Sequence, residues 1–159
     1  MKFRIGFGFD VHRLEEGLDF WLGGIKISHY KGALGHSDAD ALIHSICDAL
    51  LGAANLRDIG FHFSDSKLEY KGIDSKILLK KVVDMLEEHK YSIGNIDVTI
   101  SLQLPKISPY IENMKQTLAD VMNIPINDLS IKATTTERLG FEGREEGVSV
   151  YAVALVYQN

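Results

Sequence analysis

The chain has a single cysteine, Cys47, so no internal disulfide can form, and a length of 159 residues is enough to bury a core without one. One unpaired thiol set among apolar neighbours reads as a small buried hydrophobe in a reducing compartment. With only three prolines and 25% charged residues against 45% hydrophobic, the composition is that of a globular protein and not of a disordered or fibrous one. Lysine and arginine form no block and the net charge is −5, which argues against nucleic acid or an anionic membrane as a partner. No apolar run reaches the length of a membrane span, and Met1-Lys2-Phe3-Arg4 leads straight into alternating sequence, so the expected address is the cytoplasm. Linkers, internal repeats and low-complexity tracts are also missing, leaving one domain over residues 1–159 as the expectation.

What remains is an alternation of strand and helix signals. Ile5, Phe7 and Phe9 alternate with Arg4, Gly6, Gly8 and Asp10, the period of a half-buried strand ending at Asp10. Phe20–Leu22 and Ile25–Ile27 flank Gly23-Gly24, a good hairpin turn. From Asp38 to Leu56 the pattern becomes a helix apolar almost all round, which must lie deep. Asn55 to Gly72 has no clear period and reads as a long loop of the kind that is usually functional. Asp74 caps a helix carrying Leu78, Val82, Met85 and Leu86. Ile96 to Leu104 alternates as a strand, and Ser108 with Pro109 opens a further helix through Ile111, Met114, Leu118 and Val121. Strands are expected near Leu129 to Ala133 and from Val148 to Tyr157, the last apolar on both faces. The fold class is α/β, or an α+β sandwich with helices on a mixed sheet.

Asp10 and His12, two apart on an extended strand, project to the same side with spacing suited to a metal. His44 lies on the buried helix, where an imidazole needs a partner. It either bonds to Asp40 or Asp48, one turn away on each side, or joins Asp10 and His12 as a third ligand. Two histidines and one aspartate match a catalytic zinc shell with a fourth position open, and zinc suits two nitrogen ligands better than magnesium does. His36-Ser37-Asp38-Ala39-Asp40 precedes the helix, as a polar N-cap loop or as a site where backbone N–H groups and the helix dipole attract an anion. Thr134-Thr135-Thr136 is either strand sequence or a set of phosphate-binding hydroxyls, and Glu137 beside it offers the hard oxygen that Mg²⁺ prefers. Lys106 is a solvated lysine or an added positive charge. No Ser-His-Asp nucleophile arrangement or Walker glycine loop is present.

These segments, in this order and along essentially the whole chain, resemble the 2-C-methyl-D-erythritol 2,4-cyclodiphosphate synthase family. The likeness rests on Gly8-Phe9-Asp10-Val11-His12, the His36–Asp40 run, Asp48–Ala53, Asp58-Ile59-Gly60, Asn95–Thr99, Pro105-Lys106 and Lys132–Glu137 through Arg144. It implies a lyase of the non-mevalonate isoprenoid pathway that cyclises CDP-methylerythritol 2-phosphate and releases CMP. It further implies that Asp10, His12 and His44 hold one zinc per subunit, that Glu137 helps hold magnesium or manganese on the diphosphate, and that His36 and Thr135 stabilise the transition state. By the same resemblance His36, Ser37, Asp58, Ile59, Gly60, Phe63 and Asp65 contact the substrate along with Asp10 and His12. Leu102 through Ser108, with Pro105, Lys106 and Ile107, forms a nucleotide pocket, and Thr134, Thr135, Thr136 and Glu137 hold phosphate. A homotrimer with interfacial active sites is implied, with Phe141 and Arg144 lining a cavity on the threefold axis for an isoprenoid diphosphate. The family usually has proline and threonine around the loop aspartate, where this chain has Ser64 and Ser66.

Two other readings stay open at this level. A pterin-type synthase is another small zinc-dependent fold that forms rings, but it uses three histidines, and CMP or CDP would bind only a cytidylyl site. A metal-stabilised sensor of isoprenoid diphosphates would unfold on losing its metal, whereas an enzyme of the first kind stays folded and inactive.

Overall fold

The computed structural model describes residues 1–64 and 67–158. Its centre is a mixed five-stranded sheet in the order β4-β1-β7-β5-β6. The strands are β1 (Lys2–Glu16), β4 (Lys31–Ala33), β5 (Ser92–Ser101), β6 (Leu129–Thr134) and β7 (Gly147–Gln158), with a separate hairpin of β2 (Phe20–Leu22) and β3 (Ile25–Ile27). β1 pairs antiparallel with both β4 and β7, β5 antiparallel with β7, and β5 parallel with β6. Three longer helices, α1 (Ala41–Ala54), α3 (Ser75–Glu88) and α4 (Ile111–Met122), accompany the short α2 (Ile59–His62) and α5 (Gly140–Gly143). α1 lies across β1 and β7, α3 packs on α1 and α4, and α4 reaches β6.

β1 is longer than the alternation suggested, and its covered face is the reverse of the apolar one. Gly6 and Gly8 face α1 so closely that a Cβ would sit 1.8 Å from the Ala49 carbonyl oxygen and 1.9 Å from that of Ser45. Only glycine lets a strand backbone meet a helix backbone at that distance. The apolar partners Ile5 and Phe7 therefore point to the other side, 72% and 63% exposed. β7 continues this open face with Tyr151 and Val153, while its Val148, Val150, Ala152, Ala154 and Val156 are buried under α1. Helices thus cover one face of the sheet, and a contiguous apolar surface lies bare on the other.

α1 is buried along nearly its whole length, as its all-round apolar sequence requires, but it starts at Ala41 and ends before a left-handed Asn55. Asp40 is its N-cap and is fully buried. Its carboxylate accepts the Ile43 N–H at 3.0 Å and those of Gly23 and Gly24 at 2.9 and 2.7 Å. Both hairpin glycines have positive φ, so the turn presents two amides to one acid and is pinned to the helix start. The stretch read as structureless contains α2, and Asp74 caps α3 as expected. Ser108 makes no side-chain cap: Ser108–Tyr110 is a 3₁₀ turn, and α4 begins behind it. No helix among the described residues is long and apolar enough to cross a membrane.

Candidate metal centre and its cleft

The glycine contact between β1 and α1 determines which side chains meet. Directly beyond Gly8 come Asp10 and His12, and next to Ser45 on α1 is His44. Asp10 Oδ2 lies 3.0 Å from His12 Nε2 and 3.0 Å from His44 Nδ1, and the two nitrogens are 3.2 Å apart. Two of the three come from a strand and one from a helix 34 residues on, so only the tertiary contact brings them together.

A hydrogen bond on the far side of the ring fixes the proton of His12, and hydroxyls back that of His44. His12 Nδ1 faces the Leu34 carbonyl at 3.0 Å, and a carbonyl only accepts, so that nitrogen carries a proton and Nε2 is bare. His44 Nε2 faces the hydroxyls of Ser75 at 3.0 Å and Ser37 at 3.2 Å, leaving Nδ1 toward Asp10. With both imidazoles neutral and the His44 proton on Nε2, three lone pairs converge on one point, an arrangement that favours a cation. In a metal-free chain that cation is a proton. Burial pushes the Asp10 carboxyl up, but hydrogen bonds and charge from His12 and His44 outweigh it and hold the group well below the usual carboxylate range. Burial likewise lowers His12, and the bond to Asp10, its charge and the Leu34 carbonyl outweigh that, leaving the imidazole above its ordinary value. These residues form the one such cluster among those described.

The expectation that His44 might bond to Asp40 or Asp48 is not met. Asp40 is spent on the helix cap and hairpin, and Asp48 accepts the Ile59 N–H at 2.7 Å, which ties α2 to α1. The helix N-terminus is likewise not free for an outside anion, since the Asp40 carboxylate already serves it. His36 and Ser37 instead line the mouth of a cleft of about 180 Å³ beside Asp10, His12 and His44. Ile59, Gly60 and Phe63 from the α2 region, with Asp48, Tyr70, Ile73 and Leu78, complete it. His36 Nε2 is buried without a hydrogen-bond partner among the described residues, an orphaned donor or acceptor in a cleft wall. Asp58 is the N-cap of α2 and accepts the Phe61 N–H at 2.9 Å, while Asp65 lies outside the described residues.

The other sequence-flagged residues gather elsewhere. Leu102, Pro105, Lys106, Ile107 and Ser108 line a separate pocket of about 260 Å³ with Thr134 and Thr135, at the ends of β5 and β6. Among the described residues it shares no lining residue with the metal cleft. The threonines are not strand filler: β6 ends at Thr134, and Glu137 and Arg138 have positive φ of 53° and 65°, which turn the exposed Thr135 and Glu137 outward. Thr135 Oγ1 lies 3.2 Å from Glu137 Oε1, and Thr136 Oγ1 donates to the Leu139 carbonyl. Phe141 lines a third, shallow cavity of about 210 Å³ on the open sheet face with Val11, Arg13 and Glu146. Arg144 does not line it, and pairs with Glu146 at 3.0 Å.

Sequence reasoning missed Ser75 and Asp38, which hold His44 from behind. Asp38 stood inside a flagged run and was available to be found. Ser75 carried no signal, being one small residue after a helix cap. Of the three remaining histidines, His62 Nε2 donates to the Leu56 carbonyl at 2.7 Å, His89 is exposed, and His29 is half-buried.

The chain is similar to known proteins along nearly its whole length. Residues 3–157 match the YgbB family. The chain is 63% identical over 156 residues to a 2-C-methyl-D-erythritol 2,4-cyclodiphosphate synthase of Bacteroides fragilis, covering 98% of each. Among solved structures, the bifunctional IspDF from Campylobacter jejuni is similar with a TM-score of 0.96 and 37% identity, over 99% of this chain and 43% of that one. A CDP complex of IspF from Plasmodium falciparum is similar with a TM-score of 0.86 and 34% identity, over 99% and 97%.

Proposed function

The chain belongs to the YgbB family and cyclises CDP-methylerythritol 2-phosphate to 2-C-methyl-D-erythritol 2,4-cyclodiphosphate, releasing CMP in the non-mevalonate isoprenoid pathway; from that premise we propose that Asp10, His12 and His44 hold a zinc ion beside the reacting phosphates. The observation that carries this is the convergence of one Asp10 oxygen and one ring nitrogen from each of His12 and His44 to within 3.0–3.2 Å of one another. Zinc suits the donor set, and when bound there it supplies positive charge to the β-phosphate, while magnesium or manganese at Glu137 would draw charge from the diphosphate oxygens.

The chain's own residues then have limited chemistry to do. The nucleophile is the substrate's 2-phosphate, already anionic, so no side chain has to act as a strong base. The 2-phosphate oxygen attacks the β-phosphorus and the CMP oxygen leaves, and the protein holds these groups in line against their repulsion. His36, with its orphaned Nε2, and Ser37 donate to phosphate oxygens at the cleft mouth. Asp58, Ile59, Gly60 and Phe63, with Asp65, grip the methylerythritol end. The second pocket takes the cytidine between Leu102 and Ser108, with Lys106 adding charge, and Thr134, Thr135 and Thr136 hold phosphate beside Glu137.

Because the two pockets share no residue, a substrate that carries both a nucleotide and a phosphorylated polyol needs them brought together. We assign that to a homotrimer working in the cytoplasm, in which the bare face of β1 and β7 turns inward and one subunit's nucleotide pocket adjoins the next subunit's metal cleft. Apolar residues as exposed as Ile5 and Phe7 support self-association. Phe141 and Arg144 would then border the axis, where an isoprenoid diphosphate fits. The whole of residues 1–159 serves as one catalytic domain. The direct test incubates the purified protein with CDP-methylerythritol 2-phosphate, Zn²⁺ and Mg²⁺, and follows CMP. Release that a chelator stops and zinc restores is expected, with a trimer in analytical ultracentrifugation; chelator-resistant turnover would remove the metal from the mechanism.

A further inference from the structure

We propose that Asp38 and Ser75 are positioning residues that decide which imidazole nitrogen of His44 is free to bind metal. The proposal rests on the zinc reading of Asp10, His12 and His44 and extends it to residues that touch neither the ion nor the substrate. Ser75 is the first residue of α3 and is fully buried. Its N–H donates to Asp38 Oδ2 at 2.9 Å and its hydroxyl donates to Asp38 Oδ1. Asp38 Oδ1 also accepts the Asp40 N–H at 3.2 Å. A carboxylate that receives three hydrogen bonds has nothing to donate, so the Ser75 hydroxyl proton is committed to it. The oxygen of Ser75 can then only accept from His44 Nε2, 3.0 Å away.

The polarity of the chain is therefore forced from Asp38 outward. With Ser75 an obligate acceptor, His44 must carry its proton on Nε2 and present a bare Nδ1 to Asp10 and His12. The opposite tautomer would face two lone pairs at Ser75 and aim a proton into the ligand cluster. Ser37 Oγ, 3.2 Å from the same Nε2, accepts the Ala39 N–H and cannot impose a direction, because its own proton is not committed. The same Asp38 joins the run before α1 to the start of α3, with its N–H on the Ile73 carbonyl at 3.1 Å. His44 is thereby held between two helices as well as oriented.

Asp38→Asn reverses the polarity while keeping the shape. Of the two backbone N–H groups on Asp38 that cannot turn, that of Ser75 lies closer, at 2.9 Å against 3.2 Å for Asp40, so the Asn oxygen takes the Ser75 N–H and the amide NH₂ faces the Ser75 hydroxyl. That hydroxyl becomes an acceptor from Asn and a donor to His44 Nε2, which pushes the imidazole proton onto Nδ1. The test is zinc affinity by chelator competition together with ¹⁵N shifts of the His44 ring in metal-free protein. Wild type should show a protonated Nε2, and D38N a bare one with zinc held about 10- to 100-fold more weakly. Ser75→Ala, which removes the acceptor but leaves Ser37, should lose about tenfold. A purely structural role for Asp38 would leave the nitrogen signature unmoved, and that result overturns the proposal. If D38N fails to fold, unchanged zinc affinity in Ser75→Ala overturns it, and weaker binding by a folded Ser75→Ala supports it. His44→Ala run beside these separates the two levels: zinc retained there removes the ligand reading and the relay with it, whereas zinc lost there but kept by folded D38N and S75A removes the relay alone.

Discussion

The cleft between β1 and α1 and the pocket at the ends of β5 and β6 both carry polar side chains next to apolar walls, yet only in the cleft are the central side chains braced from behind. In the cleft, each ligand imidazole has a partner behind it, the Leu34 carbonyl for His12 and Ser75 for His44, and Ser75 is held in turn by Asp38. At the pocket, Thr135 and Glu137 are exposed and bond chiefly to each other, and Lys106 is exposed. The difference separates two ways of building a site. Ligands for an ion must be preorganised to a few tenths of an ångström, so a rigid strand-helix contact holds them. On the proposed assignment, groups for a flexible nucleotide diphosphate sit on turns and would be completed by the substrate and a neighbouring subunit.

If the cleft is the preorganised half, removing one of its ligands should have the largest effect in the protein. His44→Ala is expected to lower kcat/KM by roughly a thousandfold or more and to abolish zinc content, while the proposed trimer persists. Zinc quantified by mass spectrometry on the purified variant, with sedimentation for assembly, checks both parts. Stoichiometric zinc in the variant would count against the ligand set.

Thr135→Ala probes the other half and should leave zinc untouched. A hydrogen bond to a charged phosphate is worth about 1.5–3 kcal/mol, so kcat/KM should fall roughly 10- to 100-fold at unchanged metal content. Loss of zinc in this variant would join the two regions and erase the contrast.

Much of this division was already legible in the residues. Asp10 and His12 stood out because a two-residue spacing on a strand is a geometric statement, and the burial of α1 followed from an apolar pattern that has no polar face. The partner choice of Asp40 and Asp48 was not legible, because helical spacing places both near His44 and gives no information on a hairpin amide or an α2 N–H arriving from elsewhere. Nor was the direction of β1. Alternation says that two faces differ, and Phe and Ile invite the inference that theirs is the covered one. Glycine opposite a helix reverses that, since backbone contact at Gly6 and Gly8 buries more of the strand than a side chain would allow.

That reversal yields the next smaller effect. Gly8→Ala would place a methyl against the Ser45 carbonyl oxygen and force β1 away from α1 at the point where Asp10 meets His44. Overpacking of this kind costs about 1–3 kcal/mol, a drop of several degrees in melting temperature, and zinc should bind more weakly. The substitution Phe7→Ser, on the open face of the same strand, should instead spare zinc affinity and weaken assembly on dilution. Equal effects of the two on zinc would show that the face toward α1 has no special part in aligning the ligands.

The smallest effect is one of sign, and it tests whether the cleft is built for a cation in general. In metal-free protein the His12 imidazole lies above its ordinary value of 6.5, so the stability it contributes is fully present below that pH and is lost as pH rises through its folded value. Asp10 is depressed from 3.8, and its contribution is present above that pH and lost on further acidification. His29, which burial holds below its ordinary value, acts in the opposite sense, so in a His29→Gln background metal-free protein should be more resistant to urea at pH 6 than at pH 8. Zinc requires both imidazoles bare and displaces the proton, so the zinc-loaded protein should show the opposite slope over the same interval. Urea midpoints at the two pH values, with chelator and with zinc, give the comparison directly. Parallel slopes would mean that the proton and the metal do not compete for one site, and that the three ligand atoms do not act as a unit.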